Sequence, residues 1–262
     1  GGTVDPAGVG PDAGCATEVH QGERQALDMY FLVDQSGSMG EGNPTKWAAV
    51  SGALQGFLND PANTGTGAGI GYFPFGGGGS CTAGQSGCTC IPFVNICFSG
   101  VGGSCTASDY ATPDVPIALL PGVAPALIAS VQAHGPGGGT PTYGALQGAY
   151  QYATAWAKGN TGRKTVLVLA TDGDPSGCGT NDDVPTIASA LVAPAYAGDP
   201  ANGVPSIPTF VVGVGNSLTS LNTLAKAGGT GQAFIVDTGG DVAKQFADAL
   251  DKIGGQAASC DF

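Results

Sequence analysis

Short apolar runs alternate along this chain with longer segments of helical periodicity. The segments from Leu27 to Val33 and from Lys164 to Thr171 each contain a continuous apolar stretch, which is typical of strands buried on both faces of a sheet. Between Pro44 and Leu58, apolar side chains recur at spacings of three and four residues, which predicts a helix with proline in its first turn. The pattern therefore indicates strands and helices in alternation.

The same alternation continues to the end of the sequence. Further short apolar runs, which are typical of strands, lie over Ile70–Phe75, Val115–Leu120, Thr209–Gly213 and Ala233–Val236. Helices are predicted over Pro125–Gln132, Thr142–Lys158, Val184–Ala195, Leu218–Ala227 and Asp241–Ile253. Strands that alternate with helices predict an α/β fold, with a doubly wound, mostly parallel sheet flanked by helices on both faces.

Two segments interrupt this pattern and set the predicted domain organisation. Residues 1–14 are rich in Gly and Pro and have no period, which predicts a flexible tether. Residues 15–262 then form one domain, into which a cysteine-rich, glycine-rich insertion is placed over 76–112. Because the part from Gly76 to Tyr110 has neither helical nor strand periodicity, we expect cross-links to hold it.

Composition and charge exclude several classes of protein. Apolar residues make up 42% of the 262 residues, which is enough for the core of one domain despite 47 Gly and 18 Pro. The formal net charge of −12 argues against nucleic acid and anionic membranes as partners and favours the attraction of cations. No apolar run reaches the roughly 20 residues of a membrane helix, so direct membrane insertion is not expected.

The eight cysteines indicate disulfides and an oxidising compartment outside the cytoplasm, either extracellular or at the cell surface. No zinc-type pair with two intervening residues is present. Five cysteines lie between Cys81 and Cys105, so at least one must pair outside the insertion if all are oxidised. Although eight cysteines allow about 105 pairings, we expect Cys178 to bond one insertion cysteine, since its loop follows the strand that ends near Thr171.

Oxygen-bearing side chains follow two of the predicted strands. Asp34, Ser36 and Ser38 come after the first strand at alternate positions, and Asp172 ends a strand that we place beside it. Thr140 lies in a glycine-rich loop between them. The carboxyl ends of parallel strands meet at one edge of a sheet, and hard cations prefer oxygen ligands. We therefore predict a divalent cation site, with Mg²⁺ expected and Ca²⁺ or Mn²⁺ as alternatives.

Three motifs in this order resemble a known family. Asp-Gln-Ser-Gly-Ser-Met over 34–39, Gly-Thr-Pro-Thr over 139–142 and Thr-Asp-Gly over 171–173 look like the metal-ion-dependent adhesion site of von Willebrand factor A domains. The resemblance, which covers about Leu27 to Gly254, implies one antiparallel edge strand and a cation that completes its coordination with a partner's Asp or Glu. Met39, the Gly-Gly-Gly-Thr-Pro-Thr loop and the glycine-rich, cysteine-bearing chain together also resemble surface A domains of delta-proteobacteria such as myxobacteria.

The resemblance also bears on the two cysteines that flank the domain. A disulfide joins the termini of some A domains and restrains the last helix, which slides in integrin-like relatives. A pairing of Cys15 with Cys260 would restrain the last helix here in the same way. We therefore expect a site of nearly fixed affinity.

Simpler interpretations of the same residues stay open. The segment from Asp34 to Ser38 could be a polar turn that caps a helix. Asp174, Asp182 and Asp183 could bind a second cation, although we expect an exposed acidic loop there. His134 precedes the glycine-rich loop and could border the cation site, although we expect a solvated residue at a helix end. The glycines from Gly65 to Gly69 precede a strand rather than follow one, so they do not fit a nucleotide fingerprint.

The sequence thus predicts an extracellular or cell-surface adhesion module that binds a protein or surface ligand through its carboxylate. A structural subunit of a surface filament or assembly is the alternative, and self-assembly is possible in that case. A metal-assisted hydrolase is a further alternative. We do not expect an enzyme, because no nucleophile elbow, zinc-type helix motif or histidine-rich site is present in the sequence.

Overall fold

The computed structural model describes residues 26–75, 88–91, 96–99, 103–215 and 218–258. The predicted tether over 1–14 lies outside these residues, and so do Cys15 and Cys260. The domain boundaries, the pairing of these two cysteines and its effect on the last helix therefore stay predictions.

Eight strands form two sheets in the described part of the chain. The strands are β1 Leu27–Asp34, β2 Gly67–Phe73, β3 Cys88–Ile91, β4 Ile96–Ser99, β5 Val115–Leu119, β6 Lys164–Thr171, β7 Thr209–Val214 and β8 Phe234–Val236. The main sheet has the order β5-β2-β1-β6-β7-β8, while β3 and β4 pair separately as an antiparallel hairpin. Only β5 is antiparallel to its neighbour in the main sheet, and it lies at the edge.

Helices cover both faces of the main sheet. They are α1 Lys46–Asn59, α2 Ala124–Ala133, α3 Thr142–Gly159, α4 Val184–Ile187, α5 Ala193–Ala197, α6 Leu221–Ala227 and α7 Val242–Ala258. Met29, Phe31 and Val33 of β1 pack into one apolar cluster, together with α1, α2 and α7. Tyr30 and Leu32 pack into the other, together with α3 and α6. The predicted α/β architecture is confirmed, including the antiparallel edge strand.

The strand order reverses beside β1. The chain leaves β1 for β2 on one side and later returns to place β6 on the other side. Adjacent parallel strands whose connections leave in opposite directions open a crevice at their carboxyl ends. The ends of β1 and β6, which carry Asp34 and Thr171, lie at this crevice.

Several predicted elements differ from those observed. The hairpin β3–β4 lies inside the insertion, where we expected no strand, because a glycine-rich and cysteine-rich segment hides the strand alternation. The predicted helix over 184–195 is helical but contains a π-helical turn, Ala188–Val192. Pro194 follows that turn and lacks the N–H that an α-helical ladder requires. Helix α6 begins at Leu221 rather than at Leu218.

Strand β2 begins at Gly67 rather than at Ile70, because its alternating glycines carry no apolar signal. These glycines leave room for large neighbours on one face of the sheet. A Cβ atom at Gly69 would lie 2.7 Å from the backbone nitrogen of Ile117, and one at Gly71 would overlap the Tyr30 hydroxyl oxygen. The close approach of β5 and of the Tyr30 ring thus requires glycine in β2.

Among the described residues, no helix has both the length and the apolar character needed to cross a membrane.

We expect Gly69→Ala to lower the free energy of unfolding by about 1–3 kcal/mol, because the backbone of β5 cannot move away without breaking its pairing with β2. Gly52→Ala is the matched control, since a Cβ atom at this exposed position in α1 meets no atom within 4 Å. That change should raise the free energy of unfolding by about 0.5–1 kcal/mol. Urea unfolding of both variants measures the difference, and equal stabilities would contradict this explanation of the glycine pattern.

Candidate metal centre

The loop that follows β1 is held against the glycine-rich loop by backbone hydrogen bonds. The N–H of Gly37 donates to the carbonyl of Gly138 at 3.0 Å, and the N–H of Gly137 donates to the carbonyl of Gln35 at 2.7 Å. A short 3₁₀ turn, Gly37–Gly40, begins directly after Ser36. These contacts fix the direction in which the serine hydroxyls point.

Both serine hydroxyls are directed at Asp172. The hydroxyl of Ser38 donates to Asp172 Oδ1 at 2.8 Å, and the hydroxyl of Ser36 reaches the same oxygen at 3.4 Å. The two hydroxyl oxygens lie 3.1 Å apart. The structure therefore brings together the first and third motifs, which are about 135 residues apart in the sequence.

Asp34 is fully buried beside this cluster and is held by two hydrogen bonds. The Ser36 N–H donates to Oδ1 at 2.7 Å, and the Thr171 hydroxyl on β6 donates to Oδ2 at 2.6 Å. Burial raises the pKa of Asp34 to about 6, although both hydrogen bonds act in the opposite direction. A carboxylate in this setting is stabilised by a nearby positive charge.

Thr140 lies next to the Asp172 loop, at the end of the glycine-rich segment. Its carbonyl accepts hydrogen bonds from the N–H groups of Thr142 and Ser176, both at 2.8 Å. A Cβ atom at Gly173 would lie 4.0 Å from the Thr140 hydroxyl oxygen. The structure thus places the second motif beside the residue that follows Asp172.

Lys46, which sequence reasoning missed, contributes a positive charge to the cluster. Its ammonium donates to Asp172 Oδ2 at 2.8 Å and to Glu41 Oε2 at 3.3 Å. Burial lowers the pKa of Lys46, but the hydrogen bonds and charges of Asp172 and Glu41 outweigh burial, so its pKa lies above the ordinary value. Nothing in the local sequence marks Lys46, because only the fold brings the start of α1 to the end of β6.

The donor chemistry of this cluster fits a hard divalent cation. Asp172 and the three hydroxyl-bearing residues present only oxygen atoms, and the cluster already accommodates the Lys46 ammonium. Within the ranges that the structure describes, no group of three or more His, Cys, Asp and Glu residues is placed to hold a metal.

A disulfide joins the end of the insertion to the loop that follows Asp172. Cys105 and Cys178 are bonded across 73 residues, which confirms the expected pairing of Cys178 with an insertion cysteine. The chain after Cys105 also packs closely on α3, since a Cβ atom at Gly144 would lie 2.6 Å from the Cys105 carbonyl oxygen. The end of the insertion is thus fixed beside the helix that follows Thr140.

The other acidic candidates serve separate structural roles. Asp182 is buried and accepts from the N–H groups of Tyr143 and Cys178, so it holds the start of α3. Asp183 caps α4, and Asp174 accepts from the hydroxyl of Ser220. The prediction of an exposed acidic loop is therefore wrong for Asp182, because its carboxylate satisfies backbone N–H groups at a buried turn.

His134 also differs from the expected solvated residue. It follows α2, but its ring stacks on that of Tyr72 with a centroid separation of 3.8 Å. Its Nδ1 lies 2.8 Å from the carbonyl oxygen of Ser130. His134 therefore packs against β2 at the end of the helix, because the flat face of Tyr72 is available there.

Comparison with known proteins gives no matching family model and no matching curated protein. Solved structures do match. Proximal thread matrix protein 1 from the mussel byssus has a TM-score of 0.52 and 16% identity over 86% of this chain. The pilus adhesin SpaC from Lactobacillus rhamnosus GG has a TM-score of 0.54 and 14% identity over 91% of this chain.

These likenesses establish the fold. The chain has a von Willebrand factor A-like fold, with six mostly parallel strands flanked by helices. It spans 47% of the mussel protein and 31% of the pilus adhesin. A third matching structure is that of the mussel protein with a zinc-occupied metal-ion-dependent adhesion site, at a TM-score of 0.52 and 16% identity over 88% of this chain and 48% of that one. The similarity to delta-proteobacterial surface domains stays a prediction.

We expect Thr171→Val to lower the free energy of unfolding by about 1.5–3 kcal/mol, because it removes the hydroxyl that donates to the buried carboxylate of Asp34. Thr165→Val on the same strand is the matched control. The Thr165 hydroxyl is buried and has no hydrogen-bond partner among the described residues, so its removal should be neutral or stabilising. Chemical unfolding of both variants checks the difference, and a Thr171→Val protein as stable as the control would contradict the assigned hydrogen bond.

Proposed function

We propose that this chain is an extracellular or cell-surface adhesion module that binds an acidic group of its partner through a divalent cation. The observation that carries the proposal is the convergence of the Ser36 and Ser38 hydroxyls on Asp172 Oδ1. Asp34 and Thr140 complete the proposed set, in agreement with the family resemblance of the motifs.

The proposed ligands have different tasks. Ser36, Ser38, Thr140 and Asp172 would hold the cation, and Asp34, whose oxygens already accept hydrogen bonds, would act through its charge or through a water molecule. When bound, the cation supplies a position that a carboxylate of the partner can fill. Mg²⁺ is the proposed cation, and Ca²⁺ or Mn²⁺ are alternatives.

A cavity beside Asp172 supports a binding role. A cavity of about 410 Å³ opens at Asp172 and is bordered by Glu41, Lys46, Gly215 and Thr238. It lies on the Lys46 side of Asp172, and its lining does not include Ser36, Ser38 or Thr140. The disulfide between Cys105 and Cys178 supports a location outside the cytoplasm.

We propose binding rather than catalysis. Both serine hydroxyls of the cluster are assigned to the cation in the proposed set, so neither is left to act as a nucleophile. The mussel protein and the pilus adhesin are named as a matrix protein and an adhesin, which agrees with a binding or assembly role.

Metal titration of the stripped protein tests the proposal. We expect calorimetry with Mg²⁺, Mn²⁺ and Ca²⁺ to show one saturable site, whose affinity falls at least about tenfold in Ser38→Ala and further in Asp172→Asn. The control is Ser189→Ala, since the exposed Ser189 hydroxyl bonds only carbonyls of its own helical segment. Circular dichroism shows whether each variant is folded. Equal affinities for wild type, Ser38→Ala and Asp172→Asn would contradict the proposed site.

A structural subunit of a surface assembly is the second candidate function, and it is favoured by apolar side chains on both edges of the main sheet. Leu119 on β5 is 54% exposed and Ile235 on β8 is 39% exposed. Unpaired sheet edges with exposed apolar residues promote association between copies.

Sedimentation velocity over a concentration series tests this candidate. Association that grows with concentration and is reduced in Leu119→Lys would support an assembly role, because the added charge opposes pairing at the β5 edge. A monomer throughout the series would contradict it.

A further inference from the structure

Lys46 is the first residue of α1, and its ammonium contacts Asp172 Oδ2 at 2.8 Å, beside the proposed cation site. The Lys46 side chain is 15% exposed, while the Asp172 side chain that it contacts is fully buried. The only other acidic group within ion-pair distance of Lys46 in the described chain is Glu41, which is 71% exposed. Lys46 therefore connects a buried carboxylate with a solvent-exposed one.

The two oxygens of Asp172 face two different sets of groups. Oδ1 accepts from the hydroxyls of Ser38 and Ser36, and Oδ2 accepts from Lys46. One buried negative charge is thus shared between the hydroxyl side, where a cation is proposed, and an ammonium that belongs to the chain itself. Two positive charges beside one carboxylate repel each other, and the repulsion is strong where solvent is excluded.

We propose that Lys46 competes with the divalent cation for Asp172 and so sets the affinity of the site. This inference rests on the proposed cation site. Without a cation, Lys46 compensates the buried charge of Asp172, which is costly to leave unpaired. With a cation, Lys46 loses much of its attraction to Asp172 and keeps its contact with Glu41, 3.3 Å away. The module then binds its partner only where divalent cations are plentiful.

If the cation displaces Lys46 from Asp172, substitutions of Lys46 and of Glu41 should change the cation affinity in opposite directions. Lys46→Met removes the competing charge and keeps most of the side-chain volume, so the affinity for Mn²⁺ should rise about tenfold. Glu41→Gln removes the acidic group that accepts Lys46 after the exchange, so the affinity should fall severalfold. Glu41 is exposed, and its substitution should leave the fold intact.

The experiment titrates the metal-stripped full chain and its variants with MnCl₂ by calorimetry and follows thermal unfolding in EDTA. Lys46→Met should bind more tightly than wild type and unfold at a lower temperature in EDTA, because its buried carboxylate is uncompensated. Lys244→Met is the matched control, since Lys244 forms an exposed ion pair with Asp248. This control should change neither the affinity nor the unfolding temperature appreciably.

The outcomes separate this inference from the proposed function. Binding by wild type together with equal or weaker binding by folded Lys46→Met would overturn the competition and leave the cation site standing. If Lys46→Met does not fold in EDTA, Glu41→Gln decides, and an affinity equal to or above that of wild type would overturn the inference. Absence of Mn²⁺ binding in wild type and in folded Lys46→Met would overturn both proposals, whereas binding only by Lys46→Met would support both.

Discussion

The buried carboxylate of Asp172 is the constraint on which the carboxyl edge of the sheet depends. A buried charge is tolerated only when hydrogen bonds and an opposite charge surround it. Here the serine hydroxyls satisfy one oxygen and the Lys46 ammonium satisfies the other. The loop after β1, the start of α1 and the end of β6 must therefore meet at one point, and these contacts hold them there.

The rest of the fold supplies the rigidity that this meeting point requires. Strands β1 and β6 pair in parallel along their length, so Thr171 can reach Asp34 across the strand boundary. Beside the Asp172 loop, Asp182 holds the start of α3, and the disulfide between Cys178 and Cys105 fixes the end of the insertion next to that helix. The oxygen-bearing side chains are thus positioned by neighbours on several elements before any ligand arrives.

Much of this arrangement can be predicted from the sequence, because the signals are local. The apolar run of β6 gives its bounds, Lys164–Thr171. The motifs place Asp34 at the end of β1 and Asp172 directly after β6, and these two strands pair in the structure. The pairing of Cys178 with an insertion cysteine follows from parity and from the position of its loop. In each case the informative residues stand next to one another in the chain or have few possible partners.

The remaining features depend on contacts between distant segments. Lys46 comes after Asp34 in the chain, beyond a short turn and a loop, and belongs to none of the motifs. Only the packing of α1 brings it to Asp172. In the sequence, Asp182 resembles part of an acidic loop. Its structural role depends on the start of α3, where the Tyr143 N–H donates to its carboxylate. The start of β2 is hidden because glycines, which the sheet needs for close approach, carry no apolar pattern.

A crystal structure of the chain grown with Mn²⁺, with an anomalous difference map, tests the central claim most directly. We predict one strong peak within coordination distance of the Ser36 and Ser38 hydroxyls and Asp172. A map with no peak there, and with Ser38 and Lys46 still bonded to Asp172, would contradict it.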